Sequence, residues 1–177
     1  EKKVYYYTKY GGIGGESSSG EFLASSVQIA DYFLNGVYMS YSLDTAGLLA
    51  DENYLGIIGN NILDRFNTVW DFQNNKLYLE NNENFSKPYI FDRLGFAHVD
   101  RSKTKGGWIV AGITKDSPAE QSGLKIDDMI VSVNEVPVEE ISYKVQQHYF
   151  DHMDKVKMAI KTPDKIKQVE FELAPLL

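Results

Sequence analysis

The sequence predicts a mainly β fold in two domains, with two or three short helices. Three observations point there. Short β-branched and aromatic runs recur along the chain, bounded by Gly and Asn turn signals. Helical spacing of apolar residues appears only in brief stretches. A polar break, "NNENFSKP" at 81–88, separates two apolar patterns.

Taken in order, "VYYYTKY" (4–10) reads as a strand, and "GGIGGESSSG" (11–20) is a glycine- and serine-rich connection. "EFLASSVQIADYF" (21–33) is a second strand-like run through Phe22, Val27, Ile29 and Phe33. Asn35-Gly36 is a two-residue hairpin signal, because both residue types tolerate positive φ, and "VYMSYS" (37–42) is the returning strand. "YLGIIGNNILDRF" (54–66) reads as a short apolar strand running through Gly59 into a helical turn. "NTVWDFQNNKLYLE" (67–80) is a hairpin turning at Asn74-Asn75, with Asp71 structural.

Beyond the break come strands at 94–99, 107–113 and 128–134, and two more at 156–161 and 167–173. A short helix at 117–123 has Ser117 as N-cap, Pro118 at its first position and Gly123 as its stop. An amphipathic helix is expected at about 140–150. The domains are expected at 1–85 and 86–177.

Composition narrows the function classes. The 177 residues carry 18 Lys/Arg and 25 Asp/Glu, net −7. Residues 1–92 hold 6 basic and 12 acidic side chains, so −6, which leaves −1 for 93–177. An acidic chain with no basic stripe argues against nucleic acid and against anionic membrane surfaces. There is no cysteine, which excludes disulfides and thiolate chemistry. No apolar run approaches membrane-spanning length. The chain opens on Glu1 and is expected to be a piece of a longer protein, any targeting signal lying in the missing part.

The second half carries the more specific signal. "RLGFAHV", "SPAEQSGLKIDDMIVSVNEVPV" and "ISYKVQQHYF" together resemble a PDZ domain over roughly residues 89–177. The resemblance implies a peptide-binding groove. Leu94, Gly95 and Phe96 would form a tight loop whose N–H groups capture a peptide's terminal carboxylate. Phe96 to Val99 would be the edge that accepts an added strand, and the helix near Ser142–Tyr149 the other wall. The alternative is a groove filled by the protein itself. Arg93, where the family often has a small residue, would either attract the carboxylate or crowd the loop.

The first half has a different likeness. "GGIGGESSSG", "GIIGNNIL" (56–63) and "FNTVWDFQNNKLYLE" (66–80) resemble the part of a retropepsin-like aspartic peptidase that follows its catalytic motif. Bacterial envelope proteins join such a domain to a PDZ module. The resemblance implies a partial β-barrel with Gly11, Gly12, Ile13, Gly14 and Gly15 as flap tip. Ile57, Ile58 and Gly59 would support the substrate cleft. It also implies a peptide or protein substrate and a secreted, periplasmic or cell-envelope location. Glycine suits a flap that must open for substrate and close against water.

Peptide hydrolysis of this kind needs two close carboxylates sharing a proton. None of the ten residues before Gly11 is Asp, so the chain alone is expected to be inactive. Asp44, in "SLDTAG", is a decoy. Its triplet is Asp-Thr-Ala, it follows the flap, and it lies only twelve residues before Gly56.

"HYFDH" (148–152) puts two histidines at helical spacing, but Asp151 stands where the inverted zinc-peptidase signature has Glu. The expectation is no metal and no cofactor. Three readings remain: part of an aspartic peptidase, a peptide-binding module, or an assembly element such as a dimer interface.

Overall fold

The computed structural model describes residues 3–9, 15–89, 92–146 and 148–177. The first half is dominated by three antiparallel strands. β1 (Lys3–Thr8) pairs with β2 (Ser17–Ile29) from Lys3–Phe22 to Thr8–Ser17. β2 pairs with β3 (Tyr32–Ser42) from Ser19–Ser42 to Ile29–Tyr32.

The β2–β3 reversal falls at Ala30-Asp31, with Ala30 at φ +49°, and not at the expected Asn35-Gly36. Reversal at 35–36 would leave only 37–42 to pair back, whereas the observed turn pairs almost the full length of both strands. Gly36 keeps its positive φ of +62° inside β3, where the Ser25–Gly36 pair drops out of the ladder.

A 3₁₀ turn (Leu48–Ala50) follows. The expected strand at 54–58 is not one. The stretch has no pairing strand among the described residues. It leads into α1 (Asn60–Leu63), where the Gly59 carbonyl accepts the Ile62 N–H in a 3₁₀-type bond and the Leu63 N–H in the first regular helical bond.

β4 (Phe66–Asp71) and β5 (Lys76–Asn81) form the expected hairpin as a separate two-stranded sheet. Asp71 accepts from the Asn74 backbone N–H (3.0 Å) and side-chain amide (2.7 Å), which hold its carboxyl below the usual range. Leu34, Val37, Ile62 and Phe66 make a small core. Tyr32, Phe66 and Phe85 meet edge to face above it, with centroids 5.1–5.5 Å apart.

The second half runs β6 (Phe96–Asp100), α2 (Ser102–Lys105), β7 (Trp108–Thr114), α3 (Pro118–Gln121), β8 (Met129–Val133) and β9 (Val136–Pro137). After these come α4 (Tyr143–Gln146), β10 (Lys155–Lys161) and β11 (Ile166–Glu172). Ser117 caps α3 as its sequence predicts, accepting the Glu120 N–H at 3.2 Å. The core is larger here, with Trp108, Leu124, Ile130, Val133, Met158 and Ile160 all at most 1% exposed. The helix expected over about 140–150 is shorter than its periodicity implied. A 3₁₀ turn precedes α4, and described residues 148–152 form turns. His148 and His152 therefore share no helix face, and His148 Nδ1 instead lies 2.8 Å from Asp151 Oδ2.

One sheet joins the halves, in the order β11-β10-β8-β7-β1-β2-β3, with β6 on the opposite edge of β7. β1 reaches β7 at Tyr6–Thr114, Tyr7–Ile113 and Thr8–Gly112. Gly112 permits this approach: a Cβ there would stand only 2.0 Å from the Tyr6 hydroxyl. The polar 81–88 stretch, expected as the linker, is fastened down. Arg65, 7% exposed, donates to the carbonyls of Asn84, Phe85 and Lys87.

Half-buried Glu21 stands beside this junction. Burial pushes its carboxyl up, against a hydrogen bond from Tyr38 that lowers it, and the Asp92 charge adds to the rise. A raised folded value means that its favourable contribution is full below the unfolded carboxyl range, about 4.3, and is lost as pH rises through the folded value. Glu21→Gln is therefore expected to stabilise the chain at neutral pH and to leave stability near pH 4 almost unchanged. Urea midpoints at both pH values check this. Equal shifts at both would locate the effect in packing instead of charge.

Candidate functional site

The site begins with Asp92-Arg93-Leu94-Gly95-Phe96. Asp92 Oδ1 accepts the Leu94 N–H at 2.8 Å, a local side-chain turn that Asp favours. Gly95 then takes φ +73°. The Gly95 carbonyl accepts the Thr114 N–H at 2.9 Å, so the Gly95–Thr114 pair is hydrogen-bonded. Antiparallel pairs alternate, so the next pair, Phe96–Ile113, directs the Phe96 N–H and C=O away from β7. They face the outer edge of β6, which has no strand partner among the described residues.

The Phe96 side chain is 4% exposed and meets Phe150 and Phe171 edge to face. His98, next on that face, stacks on Trp108 at 4.3 Å and 16°. Burial lowers the His98 pKa, partly opposed by the Asp100 charge. Gln146 of α4 reaches across to Asp100 Oδ2 at 2.8 Å and to the Ile141 carbonyl at 3.1 Å. The bond ties the helix wall to the far end of β6. The surroundings of β6 are thus apolar at the loop end, around Phe96, and polar at the Asp100 end, with an unpaired strand edge along one side.

Arg93 does not stand free in the loop. Its Nη2 donates to the carbonyls of Leu173 (2.8 Å) and Met153 (3.2 Å) and lies 3.4 Å from the Asp154 carboxylate. It fastens the loop to the 151–154 turn. The Leu94 N–H is likewise engaged by Asp92. Of the residues expected to bind a carboxylate, Phe96 turns its N–H to the open edge of β6, Gly95 pairs with Thr114, and Arg93 has the geometry of a brace. The Asp92 turn was not read from the sequence, where an Asp two residues before Leu94 is its signal. The Gln146–Asp100 tie, between residues 46 apart, left no sequence signal.

In the first half, Gly11, Gly12, Ile13 and Gly14 lie outside the described residues. Gly15 has φ +90°, with open space around its Cα. Asp44 accepts from the Ser17 hydroxyl (2.6 Å) and the Ser18 N–H (3.0 Å), and these bonds lower its pKa. Ile57 and Ile58 are 65% and 51% exposed. They belong to the unpaired stretch before α1, and Gly59 is the N-cap position of that helix. No group of three or more metal-ligating side chains occurs among the described residues, and none of their helices is long and apolar enough to cross a membrane.

Residues 85–166 match the family model of the PDZ domain. The chain is similar to a PDZ domain protein from Parabacteroides distasonis, at 30% identity and TM-score 0.41, over 46% of this chain and 20% of that one. It is also similar to the PDZ domain of EpsC from Vibrio cholerae in two structures. These align at 17% and 19% identity with TM-scores of 0.35 and 0.34, over 47% and 49% of this chain and 78% and 100% of theirs. No curated protein matches the chain. The family match marks residues 85–166 as a PDZ domain, a peptide-binding module.

Proposed function

We propose that the PDZ domain captures the C-terminus of a peptide or protein, added as a strand along β6. We propose further that the chain is the flap-bearing part of a retropepsin-like aspartic peptidase joined to this module, working in the cell envelope or outside the cell. The observation that carries the first reading is the open edge of β6 directly after Gly95, where backbone donors face outward. Two features support the second. The Thr8–Ser17 pair brackets the glycine-rich stretch as a hairpin, and Ile57-Ile58-Gly59 runs into a short helix as that family's segment does. Asp44 is given no catalytic role, since Ser17 and Ser18 hold it.

A titration of the whole chain with paired peptides, free acid and amide, tests the groove by NMR. The amide removes the charge that the N–H groups receive. A charge-assisted hydrogen bond contributes about 1.5–3 kcal/mol, so the acid is expected to bind roughly tenfold to a hundredfold more tightly. Shifts should fall on 94–99 and 142–146. Equal weak shifts for both forms would leave the domain as a scaffold.

A further inference from the structure

The connection from β6 to β7 gathers unpaired positive charge. Arg101, Lys103 and Lys105 lie within five residues of a chain whose net charge is −7. All three are exposed. None makes an ion pair among the described residues, whereas Lys9, Arg93, Lys155, Lys157 and Lys167 each meet a carboxylate. The neighbouring carboxylate, Asp100, is already engaged. Its Oδ1 accepts the Ser102 N–H at 2.8 Å, and its Oδ2 accepts the Gln146 side-chain amide at 2.8 Å.

Two of these cations rim a recess of about 160 Å³, whose other lining residues are Val99 and Ile109. Val99 and Ile109 are cross-strand partners, so their side chains share one face of the sheet. Side chains alternate along a strand, so this face is opposite to that of Phe96, His98 and Asp100. The recess therefore has an apolar floor and a cationic rim. An apolar side chain would leave the cations without a partner, and a small free anion would leave the floor open to water. A carboxylate on an aliphatic stem satisfies both.

Backbone geometry fixes which residue of a β6 ligand reaches the recess. The Gly95 carbonyl accepts the Thr114 N–H before one end of β6, and the Arg101 N–H donates to the Gly107 carbonyl (3.0 Å) after the other. Gly95 and Arg101 have the same parity, so Phe96, His98 and Asp100 turn their backbone groups outward along the whole strand. An antiparallel strand added there, with its terminal carboxylate at Phe96, sets its last residue opposite Phe96 and its fourth from last opposite Val99. Opposed residues share a face, so that fourth residue points to the recess. We infer that the recess of Val99, Ile109, Arg101 and Lys105 holds a glutamate side chain at the fourth residue from the end of a bound peptide, which makes β6 selective for acidic C-terminal tails. The inference rests on the reading that β6 receives a peptide C-terminus, and it names the class of that peptide.

The test uses the whole chain and free-acid hexapeptides that end in Ala-Ala-Val and differ only at the residue before it, which is Glu, Gln or Lys. Calorimetry reads the affinities. The Glu peptide is expected to bind about three- to tenfold more tightly than the Gln peptide, and the Lys peptide more weakly than either. The Glu advantage should vanish at about 1 M salt, where the screening length is about 3 Å. Arg101→Glu with Lys105→Glu should reverse the order of the Glu and Lys peptides and leave the Gln peptide within about twofold of its former affinity. Lys76→Glu with Lys161→Glu, the same change of net charge at exposed positions outside the recess, should leave the order intact. Circular dichroism checks the fold of both variants. Equal affinities for the three peptides would overturn the inference and leave the reading of β6 standing. So would a Glu preference that survives Arg101→Glu with Lys105→Glu, because the charge would then be read elsewhere. Binding of none of the three would overturn the reading of β6, and the inference with it.

Discussion

Arg65→Ala is expected to destabilise the chain by about 3 kcal/mol, near the upper end for a single substitution. Arg65 is 7% exposed. Its Nε donates to the Asn61 carbonyl at 3.2 Å, and Nη1 faces the carbonyls of Asn84, Phe85 and Lys87 at 3.0, 3.1 and 2.6 Å. The guanidinium carbon also sits 3.7 Å from the Tyr89 ring centroid. The cation is therefore neutralised by backbone dipoles and an aromatic face. Removing it strips charge-assisted bonds and leaves carbonyls to find water, at about 1–3 kcal/mol for each one that stays dry. Lys cannot stand in, because a point charge has no planar fork to meet Asn61 and the 84–87 carbonyls together. Arg65→Lys should keep most of the loss. In urea the midpoint should fall with little change in slope, and limited proteolysis should speed up within 82–89. A loss below about 1 kcal/mol would mean that water replaces the guanidinium freely.

Gly95→Val should cost a similar amount, about 3 kcal/mol, and should remove peptide binding even where the chain still folds. Two constraints meet at Gly95. Its φ of +73° is a region that β-branched residues avoid. A Cβ there would also stand 2.8 Å from both Cβ and Oγ of Ser117. Ser117 cannot move aside cheaply, being 3% exposed and the N-cap of α3. Relief would require either uncapping α3 or shifting the loop, and shifting the loop misdirects the Phe96 N–H. A double-mutant cycle separates the two sources. Gly95→Ala with Ser117→Gly should cost clearly less than the sum of the single changes if the close approach matters. Strict additivity would leave the backbone conformation as the whole cause.

Much of the second half was readable in advance because its signals are local. Ser117-Pro118 and Gly123 bound a helix whatever surrounds them. The apolar runs of β7, β8, β10 and β11 each have enough β propensity to be recognised alone. The first half was harder where two local signals competed. Asn35-Gly36 is the stronger turn dipeptide, yet the chain reverses at Ala30-Asp31, because ladder length outweighs a turn preference worth a fraction of that pairing. The apolar run at 54–58 looks like a strand by composition, but a strand exists only with a partner, and none is present among the described residues. The helix near 140–150 shortens for a related reason. Tyr149 and Phe150 turn in against Trp108, and Phe150 also meets Phe96, which suits the core better than a continued helical face.

By itself the sequence determined the class of fold, the positions of most strands, and the loop of Leu94, Gly95 and Phe96 on which a groove could be built. Those features depend on residues a few positions apart, where turn chemistry and side-chain alternation act directly. Only the tertiary structure decided what that loop's neighbours do. It turned Arg93 onto the Leu173 and Met153 carbonyls, tied Gln146 to Asp100, and laid β1 against β7 across Gly112. Each of these contacts joins groups more than forty residues apart. Their energies come from burial and from satisfying distant backbone groups, which no local pattern encodes.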